Sequence, residues 1–502
     1  MNKTKQIMLA LLLAVVPAAS LQAKGKTDFS SYFDQKTLPF KMAEIKRPSI
    51  PSHEVKITDF GGKNDGRTLN TEAFAKAMQA LKEKGGGRLI VPAGIWLTGP
   101  IEFENNVELH LETGSLLFFT DDRSQYPLVE SYYEGLSSRR CKSPLTAFNK
   151  HDIAITGNGS IDGNGQAWRP VKKMKLTDRQ WQSLTKSGGV TNENGSIWYI
   201  SKEVLNISED PMYFQNARIS GTDEAWNVLH DYLRPVMVNF VGCKNILLED
   251  ASFENSPAWN IHPNMCENLI INNIQVRNPW YAQNGDGLDI ESCKNVLVVN
   301  SSFDVGDDAI CIKSGRDKEG RDRGIPTENV IIDGNTVYHG HGGFVIGSEM
   351  SGGARNILVR NCLFTGTDVG LRFKSTRGRG GVVENIWCDR VNMTSIEGEA
   401  VIFDLFYSVA ADDPIPQASV ETPDFHKIYI SNVTCQNAKK AIKMNGLPEL
   451  PLYDIFFKDC YFHSRLGAEI NQVKSVTLEN TLIENEKGPR LTQRNTIKII
   501  EK

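Results

Sequence analysis

The residues of this chain best suited to chemistry sit in four short polar clusters between Asn284 and Lys374: Asn284-Gly285-Asp286-Gly287-Leu288-Asp289, Gly306-Asp307-Asp308, Gly340-His341-Gly342 and Arg372-Phe373-Lys374. Each follows a short apolar run, so carboxylates, a histidine and two cations recur once per structural unit, the pattern of an active site carried on a repeat. Hydrolysis of a glycosidic bond with inversion asks for such a set: one carboxylic acid protonates the leaving oxygen and another carboxylate activates a water, about 6.5–9.5 Å apart. Clustered carboxylates raise one another's pKa, which keeps an acid protonated near working pH. Arg372 and Lys374 flank Phe373, so on a strand both face one side and suit a substrate carboxylate, the arginine through paired hydrogen bonds.

The elements that position these clusters form a repeat. From Asn245 onward an Asn followed by an aliphatic residue opens each unit, at Asn245-Ile246-Leu247, Asn268-Leu269-Ile270, Asn295-Val296-Leu297, Asn329-Val330-Ile331, Asn356-Ile357-Leu358 and Asn385-Ile386-Trp387, continuing without the Asn at Ile428, Ile455 and Val476. Spacings of roughly 21 to 34 residues suit one coil of a solenoid. The fixed leucine pattern of a leucine-rich repeat is missing, and short β-runs with Gly, Asn and Asp turns predict an all-β fold, a right-handed parallel β-helix with a continuous stacked core. Asp307 follows Asn295 by twelve residues and His341 follows Asn329 by twelve, so the two share one phase of neighbouring coils, with Asp286 and Arg372 slightly later. Strand alternation sends Asp307 and Asp308 to opposite faces, so both reach one site only if Gly306 marks a bend.

Upstream, Asn70 to Lys84 carries Ala73, Phe74, Ala77, Met78 and Leu81 at helical spacing and stops at Gly85-Gly86-Gly87, a helix expected to cap the N-terminal end of the coil stack. Gln166 to Tyr232 breaks the repeat, contains Trp168, Trp181, Trp198 and Trp226 and a helix-like piece from Thr177 to Lys186, and reads as one large insertion. Long insertions on solenoids tend to lie on the binding face. The division expected is a leader over residues 1–23, a polar tail over 24–54 and a single catalytic β-helix over 55–502, with the insertion at about 166–232.

A chain of 502 residues is long enough for several domains or for one elongated repeat, and the second suits the pattern. Its net charge of -4 gives no basic field for nucleic acid. Lys3 and Lys5, the apolar run from Ile7 to Val16 and the small residues around Ala18-Ala19-Ser20 and Ala23 read as a cleaved export signal, so a periplasmic or extracellular protein is expected. No other run approaches the ~18 apolar residues of a membrane span. Cys243, Cys266 and Cys293 hold one place in successive repeats; the column is either a stack of small buried thiols or, at strand spacing, near disulfide distance.

The four clusters, in this order and spacing, resemble the signatures of the polygalacturonase family, glycoside hydrolase family 28, and Asp59-Phe60-Gly61 and Pro92-Ala93-Gly94 look like the same superfamily. The resemblance spans roughly residues 55 to 485. It implies a right-handed parallel β-helix and inverting, metal-independent hydrolysis of α-galacturonosyl linkages in pectin, with no cofactor. By position it makes Asp307 the general acid, gives Asp286 and Asp308 the attacking water, has His341 support the acid, and lets Arg372 and Lys374 bind a uronate carboxylate. Asn284, Asp289, His262 and Tyr407 are the further candidates for substrate contact; His262, with Trp259, either lines the groove one coil earlier or packs within the coil, and Tyr407 is a candidate for a family tyrosine expected after the Arg/Lys strand. Gly285 stands where the family pattern usually has Thr, which weakens the case for homogalacturonan over rhamnogalacturonan or a decorated side chain. Lys313-Ser314-Gly315-Arg316 and the charged loop to Arg323 resemble the exo-acting branch, a reading that places extra cations near a terminal sugar and makes the insertion a wall across the groove. A calcium-dependent pectate lyase and a non-catalytic carbohydrate-binding β-helix are the alternatives.

Overall fold

The computed structural model describes residues 27–407 and 414–502, so the proposed leader lies outside the described residues. Strands stack in parallel, coil on coil, into one continuous 32-stranded right-handed β-helix. Ile246, Leu269, Val296, Val330, Ile357 and Ile386 stand in register on successive coils, all fully or nearly fully buried, so each coil covers the apolar face of the one before.

The repeated asparagine has a physical reason. Asn245, Asn268, Asn295, Asn329 and Asn356 all take φ between 55° and 63°, a left-handed turn conformation that Asn adopts more readily than other non-glycine residues. The last four side-chain amides donate to the carboxamide oxygen of the coil before: Asn268 to Asn245, Asn295 to Asn268, Asn329 to Asn295 and Asn356 to Asn329, every one at 3.1 Å. The ladder fixes the register that sets the phase of the site.

The expected helix forms over Thr71–Glu83 and buries the five apolar residues named above against the first coil. It ends where Gly85, Gly86 and Gly87 turn the chain with φ of 80°, 123° and 141°. The stretch before it is no loose polar tail. Phe29, Phe33, Met42 and Ile45 are buried against Ala154, Leu247, Ile270, Leu297 and Ile331, the outward side chains of one β-helix face, and Arg47 clamps Glu249 with bonds of 2.8 and 2.9 Å. The runs Ile246-Leu247-Leu248 and Val296-Leu297-Val298 are therefore apolar on both sides because both sides are covered.

The insertion builds its own small body. Val171–Lys172, Val190–Thr191 and Ile197–Tyr199 form an antiparallel sheet, and Asp178–Lys186 is a helix whose Thr177 and Gln180 make a reciprocal N-terminal cap. Trp181, Trp198 and Val171 make one local core, Trp226 with Leu229 and Leu233 another. A second element crosses the solenoid: Leu128–Tyr133 and Leu136–Cys141 pair as an antiparallel hairpin. All nine cysteines are free and buried, so the thiol column is packing. Among the described residues no helix is long and apolar enough to cross a membrane.

Candidate active site

The strands that carry the site follow one another on a single face: Val238–Val241, Ile261–Asn264, Leu288–Glu291, Asp308–Lys313, Gly342–Ile346 and Leu371–Lys374. Asp286, Asp307 and His341 lie in the turns that lead into three of these strands, and Asp308, Arg372 and Lys374 lie on them. Gly306 supplies the bend expected of it: a Cβ there would stand 2.6 Å from the Pro279 carbonyl and 2.8 Å from that of Ala282. Glycine lets the chain press against that turn, and both Asp307 and Asp308 arrive at the same point. One oxygen from each of Asp286, Asp307 and Asp308 lies within 4.8 Å of the others.

The three carboxylates have different surroundings. Burial alone would push Asp308 up, but Lys374 at 2.7 Å and Arg372 at 3.2 Å outweigh it and hold the carboxyl well below its usual range, ionised. Asp286 is almost fully buried, Oδ1 has no hydrogen-bond partner in the protein, and burial followed by the charge of Asp307 pushes its pKa well up. Asp307 is the more accessible, with 20% of its side chain exposed, and His341 Nδ1 lies 3.1 Å from it. That hydrogen bond raises the histidine's pKa despite its burial, and the His341 backbone N–H also donates to the Asp307 carbonyl at 2.8 Å. Asp368 lies 3.8 Å from the far nitrogen of the ring.

Arg372 and Lys374 face one side, as alternation requires, but in this state both hold Asp308. Tyr407, 46% exposed, sits against them with its ring centre 5.0 Å from Lys374 Nζ and 5.7 Å from the Arg372 guanidinium. Asn284 turns with φ of 54° and accepts a hydrogen bond from Arg234 at 3.0 Å, beside Asp286. Asp289 is fully buried, neither oxygen is hydrogen-bonded, burial raises its pKa, and Lys313 Nζ is 3.6 Å away. His262 does not line an open groove: it is fully buried, hydrogen-bonded to Glu291 at 2.8 Å and edge-on to Trp259.

The cover over His262 is the hairpin, which sequence reasoning missed. Asn239 donates to Ser131 at 3.1 Å and Tyr133 packs on Trp259 at 4.7 Å, so the hairpin lies across the outward face of the catalytic sheet on its N-terminal coils. Its tip is pinned from the other side by the helix Asp317–Arg323: Arg316 N–H and the Arg323 guanidinium both donate to the Gly135 carbonyl, and Ser137 donates to Glu319. The charged loop was expected to present spare cations; instead Arg316 pairs with Glu134, Arg323 with Glu291, and Lys313 with Glu349 at 3.0 Å. The signals were present as Tyr132-Tyr133-Glu134-Gly135, a turn between two short runs, but nothing local says what the hairpin lies on.

Between hairpin, insertion and the Asn284 turn lies a cavity of about 270 Å³, lined among others by Tyr133, Arg140, Trp168, Lys172 and Asn284. Tyr133 Oη, Arg140 Nε and Trp168 Nε1 are buried there without protein partners.

Residues 220–491 match the model of the glycosyl hydrolases family 28. The chain is 30% identical over 406 residues to an exo-poly-α-D-galacturonosidase of Dickeya chrysanthemi, covering 78% of this chain and 64% of that protein. It is 28% identical over 440 residues to a probable polygalacturonase of Vitis vinifera, covering 86% and 78%. The crystal structure of a hyperthermoactive exopolygalacturonase from Thermotoga maritima superposes with a TM-score of 0.72 at 33% identity, over 91% of this chain and 93% of that one. Because the matched model spans more than half of the chain, and the motif residues it was first read from converge on one centre, the protein belongs to glycosyl hydrolase family 28.

Proposed function

We propose that this protein is an exo-acting pectin hydrolase that removes galacturonate from chain ends with inversion at the anomeric carbon. The observation that carries the exo reading is the hairpin Leu128–Cys141 lying over the catalytic sheet at Asn239 and Trp259, which closes the cleft on its N-terminal side. A polymer cannot thread past it, whereas a single terminal sugar fits beside Asn284, where buried donors of Tyr133, Arg140 and Trp168 lack protein partners. The activities by which the Dickeya and Thermotoga relatives are named agree with this reading.

In the reaction proposed here Asp307 is the acid. The direction of its pKa shift would make Asp286 a protonated group too, but Asp286 is buried while Asp307 presents an edge to the cleft, where it can reach the glycosidic oxygen. His341, hydrogen-bonded to it and with its pKa raised by that bond, helps return the proton between turnovers. Asp286 and Asp308 then hold the water, whose proton passes to the ionised Asp308 as it attacks. The nearest oxygens of the three groups, within 4.8 Å, are closer than the separation of about 6.5–9.5 Å between carboxyl groups associated with inversion. Both Asp308 oxygens are engaged by Lys374 and Arg372, which holds the group as an ionised base for the water rather than as a free nucleophile. That same occupation disfavours the lyase alternative, in which the carboxylates would hold calcium. Arg372 and Lys374 approach a substrate carboxylate while sharing Asp308, with Tyr407 bordering the site; Asp289 and His262 support it from beneath. The leader pattern over residues 1–23 supports export, which N-terminal sequencing of the mature protein tests.

On polygalacturonate, monomer is expected to accumulate from the start while viscosity stays nearly constant, and proton NMR of the first product is expected to show the β-anomer. A rapid fall in viscosity would refute exo action, and an α-anomer would refute the roles of Asp286 and Asp308.

A further inference from the structure

We infer that Lys175, which the insertion delivers to the catalytic centre, recognises the carboxylate of the sugar on the leaving side of the scissile bond. The inference rests on the hydrolase reading above. Lys175 ends the short helical turn Lys173–Lys175, and its half-buried side chain reaches the backbone of the catalytic turn: Nζ donates to the Gly306 carbonyl at 3.3 Å and to that of Trp280 at 3.4 Å. Gly306 immediately precedes Asp307, so an ammonium from a distant segment of the chain stands next to the acid.

Its bonding state separates it from Arg372, Lys374 and Lys313. Arg372 and Lys374 are paired with Asp308, and Lys313 with Glu349. Lys175 has two long bonds to neutral carbonyls. A charge-assisted bond to a carboxylate is shorter, about 2.7–2.9 Å, and roughly twice as strong, so an incoming uronate would displace these contacts readily. Burial depresses the pKa of Lys175 while the charge of Asp307 opposes that shift, as expected of a cation awaiting an anion.

The side of the bond follows from the acid's task. Asp307 protonates the bridging oxygen, so the departing sugar must lie along the exposed flank of Asp307. The hairpin covers the sheet at Asn239 and Trp259, on coils before Asp307, so the retained sugar is assigned to that side; His341 and Lys175 contact the Asp307 turn itself. Trp280, 49% exposed and adjoining the same carbonyl contact, offers an apolar face to the ring. The insertion thus contributes on both sides, with Trp168 and Lys172 lining the terminal pocket and Lys175 at the acid.

The test compares digalacturonate with p-nitrophenyl α-D-galacturonide, whose leaving group carries no carboxylate, in wild type, Lys175→Ala and Lys175→Arg. The ratio of kcat/KM for the two substrates is expected to fall about tenfold or more in Lys175→Ala, the effect of one lost charge-assisted hydrogen bond, chiefly through KM, and to recover in Lys175→Arg. If Lys175 only staples the insertion to the catalytic turn, thermal stability falls and both substrates lose equally; an unchanged ratio in wild-type-like folded protein overturns the inference alone. If the wild type turns over neither substrate, the hydrolase reading itself fails, and this inference with it.

Discussion

On the N-terminal coils the outward side chains of the catalytic sheet, Asn239, His262, Asp289 and Glu291, are buried, whereas farther along the stack Arg372, Lys443 and Glu469 in the same columns are partly exposed. The backbone is alike at both ends; what differs is the hairpin that crosses one of them. A parallel β-helix leaves its faces as open grooves, so closing one demands a separate segment and a polar column able to survive burial. Here the column is paired in part: His262 with Glu291, Glu291 with Arg323, Lys313 with Glu349 and over the face of Trp259 at 4.8 Å, while both Asp289 oxygens stay without a hydrogen bond in the protein. The clustered carboxylates Asp286, Asp307 and Asp308 lie at the border between covered and open ends.

The sharpest break of this comparison is at the border itself. If Asp307 separates retained from departing sugar, Asp307→Asn should lower kcat by about 10²- to 10⁴-fold with binding nearly intact. Activity within tenfold of wild type would remove the acid from the border and with it the assignment of sides.

On the open side, Lys374 keeps Asp308 ionised. Lys374→Met leaves a buried carboxylate with one cation fewer, a loss of about 2–5 kcal/mol in transition-state stabilisation for a broken buried charge pair. The sign of the pH effect follows from the direction of the shift. Asp308 has a depressed pKa, so its stabilising contribution is present above the ordinary carboxylate value near 3.9 and is lost as pH falls through the depressed one. Without Lys374 that value rises, and the acid limb of the kcat/KM profile should move to higher pH. An acid limb that stays in place would show that Asp308 does not need this cation.

On the covered side, replacing residues 130–139 by a short turn should open the cleft. The ratio of chain cuts to monomer released should rise, with oligomers appearing early, while polymer binding is retained. Continued exclusive release of monomer would make the insertion, not the hairpin, the barrier. The sequence points to that weaker candidate: four tryptophans and a lost repeat mark Gln166 to Tyr232 as foreign to the solenoid, and Trp181, Trp198 and Trp226 pack in small local cores. Asparagines in left-handed turns and the phase of Asp307 and His341 were equally legible, because they are imposed by local backbone conformation and coil period. The hairpin, the strap of Phe29 to Ile45 and the reach of Lys175 were not, because each is defined by what it touches more than a hundred residues away. Arg372 and Lys374 were read correctly as a same-face pair, yet their partner Asp308 is fixed by inter-coil register, which motif order alone does not give.

The smallest effect serves as the control for all three. Asn295 lies outside both the hairpin and the insertion, in the ladder from Asn245 to Asn356: it donates to Asn268 and accepts from Asn329, each at 3.1 Å. Asn295→Ala removes both bonds and puts a Cβ-bearing residue without a polar side chain at φ of 59°. The expected cost is about 1–3 kcal/mol, from ~0.5–1.5 kcal/mol per hydrogen bond and ~1–2 kcal/mol for the left-handed conformation, offset by partial solvation of the exposed turn. Asn295→Gly keeps the conformation easy and loses only the ladder, so it should cost less, and the difference between the two variants isolates the backbone part. Both should lower the urea midpoint without changing the slope, and neither should alter the product pattern or the ratio of charged to uncharged leaving groups. A shifted product pattern would mean that the ladder sets the shape of the cleft as well as the register of the coils, and the contrast between the two ends would then belong to the solenoid itself rather than to the hairpin laid across it.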